Sequence, residues 1–286
     1  MIITKFYGGL GNQMFQYAIS LAVLNKCKVN FYLDLSYYSK KIDVHPRQFL
    51  LNHFFKNKNQ RYILKKSLIL SFLTHFNFFK TRFLIKEKKG FIFDQSLLER
   101  KPPFILDGYW QSYKYFESIK LDLQKLFLNP KGLNKANKEM LKKISHTRSV
   151  CVHIRRGDYV SNPHANSFHD VLTLNYYKNA LKFLKKSVPN AHYFIFSDDV
   201  EWVRLNPPPH IPYTIVDIND ESKPYFDLWL MGHCKYFIIA NSSLSWWAAY
   251  LAKFRSKIVI APTYWLRHLK SEDTDLIPPE WKLVSD

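Results

Sequence analysis

Between residues 149 and 262 the chain alternates β-branched or aromatic runs with helix-patterned stretches, and this alternation restricts the fold more than any other feature. The runs are SVCVHIR (149–155), HYFIFSDD (192–199), YTIVD (213–217), KYFIIANSS (235–243) and KIVIAP (257–262), with a helical segment between each pair, the clearest over 175–186. Strands separated by helices imply a parallel, doubly wound α/β sheet. In such sheets ligands bind at the carboxyl ends of the strands, where the polar residues of each run collect. Residues 153–158, 197–199, 217 and 241–243 are therefore expected on one shared rim.

The first 34 residues suggest a second, smaller unit of the same kind: MIITKFY, a helix over 12–26, then KVNFYLD. At 286 residues the chain is long for one domain and suits two α/β lobes around a cleft. We expect an N-terminal lobe over 1–146 and a C-terminal lobe over 147–286. Residues 35–146 are irregular, with the Pro102-Pro103 break, the aromatic run LDGYWQSYKYF (106–116) and a lysine- and asparagine-rich helix over 133–144.

Four motifs carry chemistry. In GGLGNQMFQYA (8–18), Gly9 and Gly11 follow a strand and open a helix, but Met14 stands where a dinucleotide fingerprint has its third glycine. The glycines allow a tight turn and Asn12 is expected to cap the helix; beyond that, backbone N–H groups and Asn12 could face a ligand. HIRRGDY (153–159) places His153 and two guanidinium groups, Arg155 and Arg156, just beyond a strand, where arginine suits a phosphate fork. The alternative makes both arginines structural partners of carboxylates such as Asp158. FSDD adds Ser197, Asp198 and Asp199. One acid is expected to cap the helix near residue 200, leaving the other to accept paired N–H donors such as a guanine edge. NSSLSWWAAYL (241–251) sets Asn241, Ser242 and Ser243 at a helix start, where unbonded N–H groups and the dipole favour a diphosphate.

The formal charge of +19 would attract nucleic acid, anionic lipid or phosphorylated substrates. Basic residues concentrate in 56–89, interleaved with aromatics, and YILKKSLILSFLTHFNFF (62–79) reads as a partly buried or surface-seeking helix rather than a membrane span. Cys27, Cys151 and Cys234 are scattered in apolar surroundings and read as reduced thiols, consistent with the cytoplasm. No secretory signal opens the sequence. Neither the histidines nor the cysteines form a metal pattern, so no metal is expected.

Taken together and in this order, the four motifs resemble the α-1,2-fucosyltransferase family of inverting glycosyltransferases. The resemblance implies a GT-B-like fold of two Rossmann-type lobes facing a cleft, the N-terminal lobe on the acceptor side and GDP-β-L-fucose held mainly by the C-terminal lobe, with no metal or other cofactor. It further implies that Arg155 or Arg156 binds the diphosphate, that His153 lies beside the nucleotide, and that one of Asp198 and Asp199 reads guanine. Ser242 and Ser243 would complete the phosphate site, and Asn12 with its glycines would face the fucose. A galactose 2-hydroxyl of a glycan acceptor would displace GDP in one step, with Asp158 the first candidate for general base. The chain is similar to bacterial forms that act in the cytosol on surface-polysaccharide precursors. Its basic segment could bring it to the anionic inner membrane. Two other classes fit part of the sequence: a basic nucleic-acid-binding protein, which leaves the C-terminal rim unexplained, and a nucleotide-sugar binder without catalysis.

Overall fold

The computed structural model describes residues 1–27, 29–39, 47–55, 83–87, 91–162, 167, 170–208 and 210–286, with only the backbone of Asp158 and Ser161. They form two compact units, Met1–Leu123 and Gln124–Asp286. In the first, β1 (Ile2–Lys5), β2 (Phe31–Asp34), β3 (Leu84–Lys86) and β4 (Phe104–Asp107) make a parallel sheet ordered β2-β1-β4-β3. Helix α1 (Leu10–Lys26) crosses from β1 to β2, as the opening pattern predicts. It buries polar side chains as well as apolar ones, and each of three has a partner. The Gln13 amide donates to the Gly8 and Gln48 carbonyls, Gln16 accepts from Tyr7 N–H, and Ser20 pairs with Thr4 at 2.7 Å. A buried polar group without such partners would cost about 1–3 kcal/mol, so these bonds are what make the helix tolerable in the core. Short helices α2 (Gln95–Glu99), capped by Asp94, and α3 (Lys120–Phe127) follow.

The second unit runs α4 (Lys135–Ser145), β5 (Ser149–Ile154), α5 (Gly157–Ser161), α6 (Leu174–Ser187), β6 (His192–Ser197), α7 (Val200–Leu205), β7 (Tyr213–Ile215), α8 (Pro224–Met231), β8 (Tyr236–Ile238), α9 (Ser243–Leu251) and β9 (Val259–Pro262). An antiparallel pair, β10 (Tyr264–Leu266) and β11 (Leu269–Lys270), precedes β12 (Lys282–Val284). The parallel sheet is ordered β12-β9-β8-β5-β6-β7, which in chain order within the unit is the Rossmann sequence 3-2-1-4-5-6. Strand β5 is buried along its whole length, as befits a central strand covered on both faces. Its core partners include Tyr176, Ala180 and Leu184 of α6 and Ile195 of β6. Thr173 caps α6 through Asn175 N–H, and Lys185 and Lys186 sit in its last turn, where the dipole favours cations.

The division between units falls earlier than the expected boundary after residue 146. Helix α4 belongs to the second unit because it packs on α8. Asn137 at its start exchanges amide hydrogen bonds with Asn219, at 2.7 and 3.1 Å. Of the basic segment 56–89, only 83–87 lie within the described residues, so the helix expected over 62–79 lies outside them. Among the described residues no helix is long and apolar enough to cross a membrane. Cys151 and Cys234 are buried free thiols, while Cys27 is half-buried.

Candidate functional site

The register of β5 on β6 builds the site. Ile154 pairs with Ser197, so the next residues come side by side: Arg155 beside Asp198 and Arg156 beside Asp199. Arg155 Nη1 lies 2.9 Å from Asp198 Oδ2, and Arg156 Nε lies 3.2 Å from Asp199 Oδ2. Asp198 Oδ1 also accepts Arg156 N–H at 2.9 Å. Arg156 lies over the Trp202 ring, with Cζ 4.2 Å from its centroid, and Arg155 over Tyr159 at 5.6 Å. The arginines thus pair with acids from the neighbouring strand; the side chain of Asp158 lies outside the described residues.

One of the two acids meets expectation and the other does not. Asp199 does cap α7, accepting Trp202 N–H at 3.1 Å, and Ser197 Oγ accepts Asp199 N–H at 3.0 Å. Asp198, the acid that does not cap, has both oxygens engaged by the arginine segment and so is not spare. Gly157 explains how closely it sits: a Cβ there would fall 2.4 Å from Asp198 Oδ2. Glycine is required by that approach, a role that sequence reading missed. Asp217, expected on the same rim, lies two residues beyond the edge strand β7 and pairs with Arg204.

On the other side of β5, Val152 pairs with Ile238, so Arg155 and Asn241 each lie three residues beyond a paired position. The chain reverses its direction of strand addition between β5 and β8, and such a switch point is where doubly wound sheets open a crevice. Tyr159 Oη donates to the Asn241 carbonyl at 3.0 Å across it. Ser242 is the N-cap residue of α9 with no side-chain cap, and Ser243 is the first helical residue, so this helix start offers N–H groups to an anion. Fully buried Trp246 and Trp247 anchor α9, and Trp246 Nε1 donates to the Leu276 carbonyl at 2.9 Å. Truncating one such tryptophan costs about 3–5 kcal/mol, so the helix start is firmly held.

Two buried polar atoms at this crevice have no partner among the described residues: His153 Nδ1 and Asn241 Oδ1. The Asn241 amide nitrogen donates to the Asp170 carbonyl at 2.9 Å, which fixes the side chain and leaves its oxygen to a ligand. Burial pushes the pKa of His153 down to about 4, against the opposing pull of Asp198. His153 is therefore a neutral imidazole at pH 7, able to donate or accept one hydrogen bond but carrying no charge.

The glycine loop of the first unit holds Asn12 differently from the expected cap. Gly9 is the N-cap of α1, and Asn12 sits inside the helix, where its Oδ1 accepts Gln111 Nε2 at 2.8 Å. The conformationally demanding glycine is Gly8, with φ +79° and a would-be Cβ 2.7 Å from Asn12 Nδ2. At Gly9 a Cβ would meet nothing within 4 Å, while Gly11 is buried inside α1. Among the described residues no three His, Cys, Asp or Glu side chains gather as a metal-ligand set.

Comparison with known proteins bears on this arrangement. The family model described as glycosyl transferase family 11 matches residues 1–285. An Escherichia coli alpha-1,2-colitosyltransferase is 33% identical, covering 98% of each chain. The E. coli O-antigen biosynthesis glycosyltransferase WbnK is 32% identical, covering 90% of this chain and 92% of its own. A Caenorhabditis elegans galactoside 2-alpha-L-fucosyltransferase is 32% identical over 64% of this chain and 54% of its own. Among solved structures, NodZ alpha-1,6-fucosyltransferase soaked with GDP-fucose matches with a TM-score of 0.50 at 11% identity, covering 88% of this chain and 92% of that one. The fold is GT-B-like, built from two Rossmann-type units.

Proposed function

The chain belongs to glycosyl transferase family 11, and from that premise we propose that it moves L-fucose from GDP-β-L-fucose to the 2-hydroxyl of a terminal galactose, inverting to an α-1,2 linkage without a metal. The observation that carries this reading is the switch-point crevice. Two carboxylate-held arginines stand on one side of it, and the start of α9 with the unpartnered Asn241 Oδ1 stands on the other. Asp199 orients the Arg156 guanidinium without exhausting it: Arg156 spends Nε on Asp199, and a guanidinium has five N–H donors.

In this mechanism the acceptor hydroxyl attacks the anomeric carbon as the bond to the β-phosphate breaks. Arg155, Arg156 and the first N–H groups of α9 take up the charge that develops on departing GDP, the task a metal performs in other transferases. His153, neutral, serves as a hydrogen-bond partner for the nucleotide, and Asp158 is our candidate to receive the acceptor proton. The relatives support an acceptor in a surface glycan, and the basic segment 56–89 would bring the enzyme to anionic lipid, which a liposome sedimentation assay tests.

The test is incubation with GDP-fucose and a galactoside panel in the presence of EDTA, with the linkage assigned by NMR. Formation of an α-1,2-fucosylated galactoside with activity undiminished by EDTA is expected; no transfer, or transfer abolished by EDTA, counts against the reading. The 33%-identical colitosyltransferase favours one alternative, a colitosyl donor on the same crevice. GDP-colitose in a parallel incubation separates the two.

A further inference from the structure

The parallel sheet of the first unit has its own switch point. Its order, β2-β1-β4-β3, puts β1 between β2 and β4, so the crevice predicted by topology lies at the carboxyl ends of these three strands. A cavity of about 210 Å³ occupies that place, lined by Lys5 at the end of β1 and Tyr7 beyond it, Asp34 at the end of β2 with Ser36 and Tyr37 beyond it, and Asp107 at the end of β4. No residue proposed above to hold the nucleotide lines it.

Its chemistry is specific. Lys5 Nζ is 2.8 Å from Asp107 Oδ2, so among the described lining residues the one cation is matched by one carboxylate, and the buried Asp34 leaves that lining with a carboxylate in excess. That balance disfavours phosphate. Asp34 is itself fixed, accepting Ser36 N–H at 3.0 Å. The Tyr7 ring lies 6.1 Å from Tyr37 and 4.8 Å from Tyr109, giving a continuous aromatic surface. Its outer members stay in water, Tyr37 being 36% and Tyr109 38% exposed. Burial and the Asp107 carboxylate raise the Tyr7 pKa well above its ordinary value, so its hydroxyl stays a donor. Aromatic faces beside carboxylate acceptors suit a molecule with an apolar C–H face and a rim of hydroxyls. The volume is below the roughly 300–1,000 Å³ that takes drug-sized ligands, so it suits one ring and not a nucleotide.

We propose that the cavity at the carboxyl ends of β1, β2 and β4 is a binding site for one neutral hexopyranose ring of the acceptor glycan, stacked on Tyr37 and Tyr7, with its hydroxyls donated to Asp107 and Asp34. The assignment of that ring to an acceptor rests on the transfer reaction proposed above; the binding of a neutral sugar does not.

The experiment is saturation-transfer NMR on the full chain with methyl β-D-galactopyranoside, alongside GDP titration calorimetry and acceptor KM measured with lactose. The variants are Tyr37→Ala, Tyr37→Phe and Asp107→Asn. The wild type and Tyr37→Phe are expected to show saturation transfer. Tyr37→Ala should lose it and raise acceptor KM roughly fivefold to tenfold, the range expected for one aromatic contact, with GDP affinity unchanged. Asp107→Asn keeps the side-chain shape and should also weaken sugar binding, which tests the proposal should Tyr37→Ala fail to fold. An absent signal in the wild type, an unchanged KM and signal in both the Tyr37→Ala and Asp107→Asn proteins, or preferential binding of glucose 6-phosphate or tetramethylammonium would overturn it. Saturation transfer that depends on Tyr37, in a protein that transfers nothing to any galactoside, would instead defeat the transfer reaction and leave this site standing.

Discussion

Adding a single methyl group at Gly157 is expected to dismantle the arginine cluster. The new Cβ would lie 2.4 Å from Asp198 Oδ2 and 3.0 Å from its Cγ, whereas ordinary contact begins near 3.4 Å, so the carboxylate must retreat by ~1 Å. Asp198 holds Arg155 Nη1 at 2.9 Å and Arg156 N–H at 2.9 Å, and hydrogen bonds weaken steeply beyond about 3.2 Å. Losing one bond to a charged group costs about 1.5–3 kcal/mol. If the displaced arginine is one that grips the diphosphate, GDP affinity in Gly157→Ala falls by roughly 10–100-fold. The same loss lowers Tm by roughly 3–10 °C for a unit of this size. Titration calorimetry with GDP and scanning calorimetry read the two effects. A double-mutant cycle isolates the cause: in an Asp198→Ala background the added methyl should cost little, because its collision partner is gone. Wild-type GDP affinity in Gly157→Ala, or penalties that add fully in the double variant, would refute the reasoning.

Arg155→Ala and Arg156→Ala should both retain the fold by circular dichroism. At least one should lose transfer by about 10²–10³-fold, the usual loss on removing a donor that stabilises developing negative charge; full activity in both would contradict the mechanism. Burial raises the Asp227 carboxyl to about 7, with Asn219 Nδ2 donating to it at 2.8 Å. The folded state then binds the proton more tightly than the unfolded chain, so this group makes stability fall as pH rises from about 4 to about 7. Asp227→Asn should remove that fall. Melting curves across the range check it as a difference from wild type, since His153 contributes the opposite slope in both proteins. Gly8→Ala, with φ +79° and Asn12 Nδ2 2.7 Å away, should destabilise the first unit by about 1–3 kcal/mol, read by denaturant unfolding.

The sequence shows the fold where strands and helices are long enough to carry a period. The unit β1-α1-β2 and the alternation from β5 to β9 follow the pattern within a few residues. Strands β3 and β12 have three residues each, too few for any periodicity, and β4 is hidden at the start of an aromatic run. The shared rim was legible because its residues end strands. The partners across it were not, because Arg155–Asp198 and Arg156–Asp199 arise from the register of β5 on β6, while the sequence offers only the nearby Asp158. Register also explains Gly157, whose necessity comes from a carboxylate 41 positions away in the chain. Asparagine favours the cap position, so the sequence points to Asn12 there, but the turn at Gly8 starts the helix earlier and leaves the Asn12 side chain to Gln111.

A crystal structure of the protein with GDP, grown in EDTA, tests the central claim most directly. The diphosphate should lie between the ends of β5 and β8, within hydrogen-bond distance of Arg155 or Arg156 and of the first N–H groups of α9, with Asn241 Oδ1 or His153 Nδ1 newly partnered. A diphosphate bound elsewhere, or one that binds only when a divalent ion is restored, would contradict it.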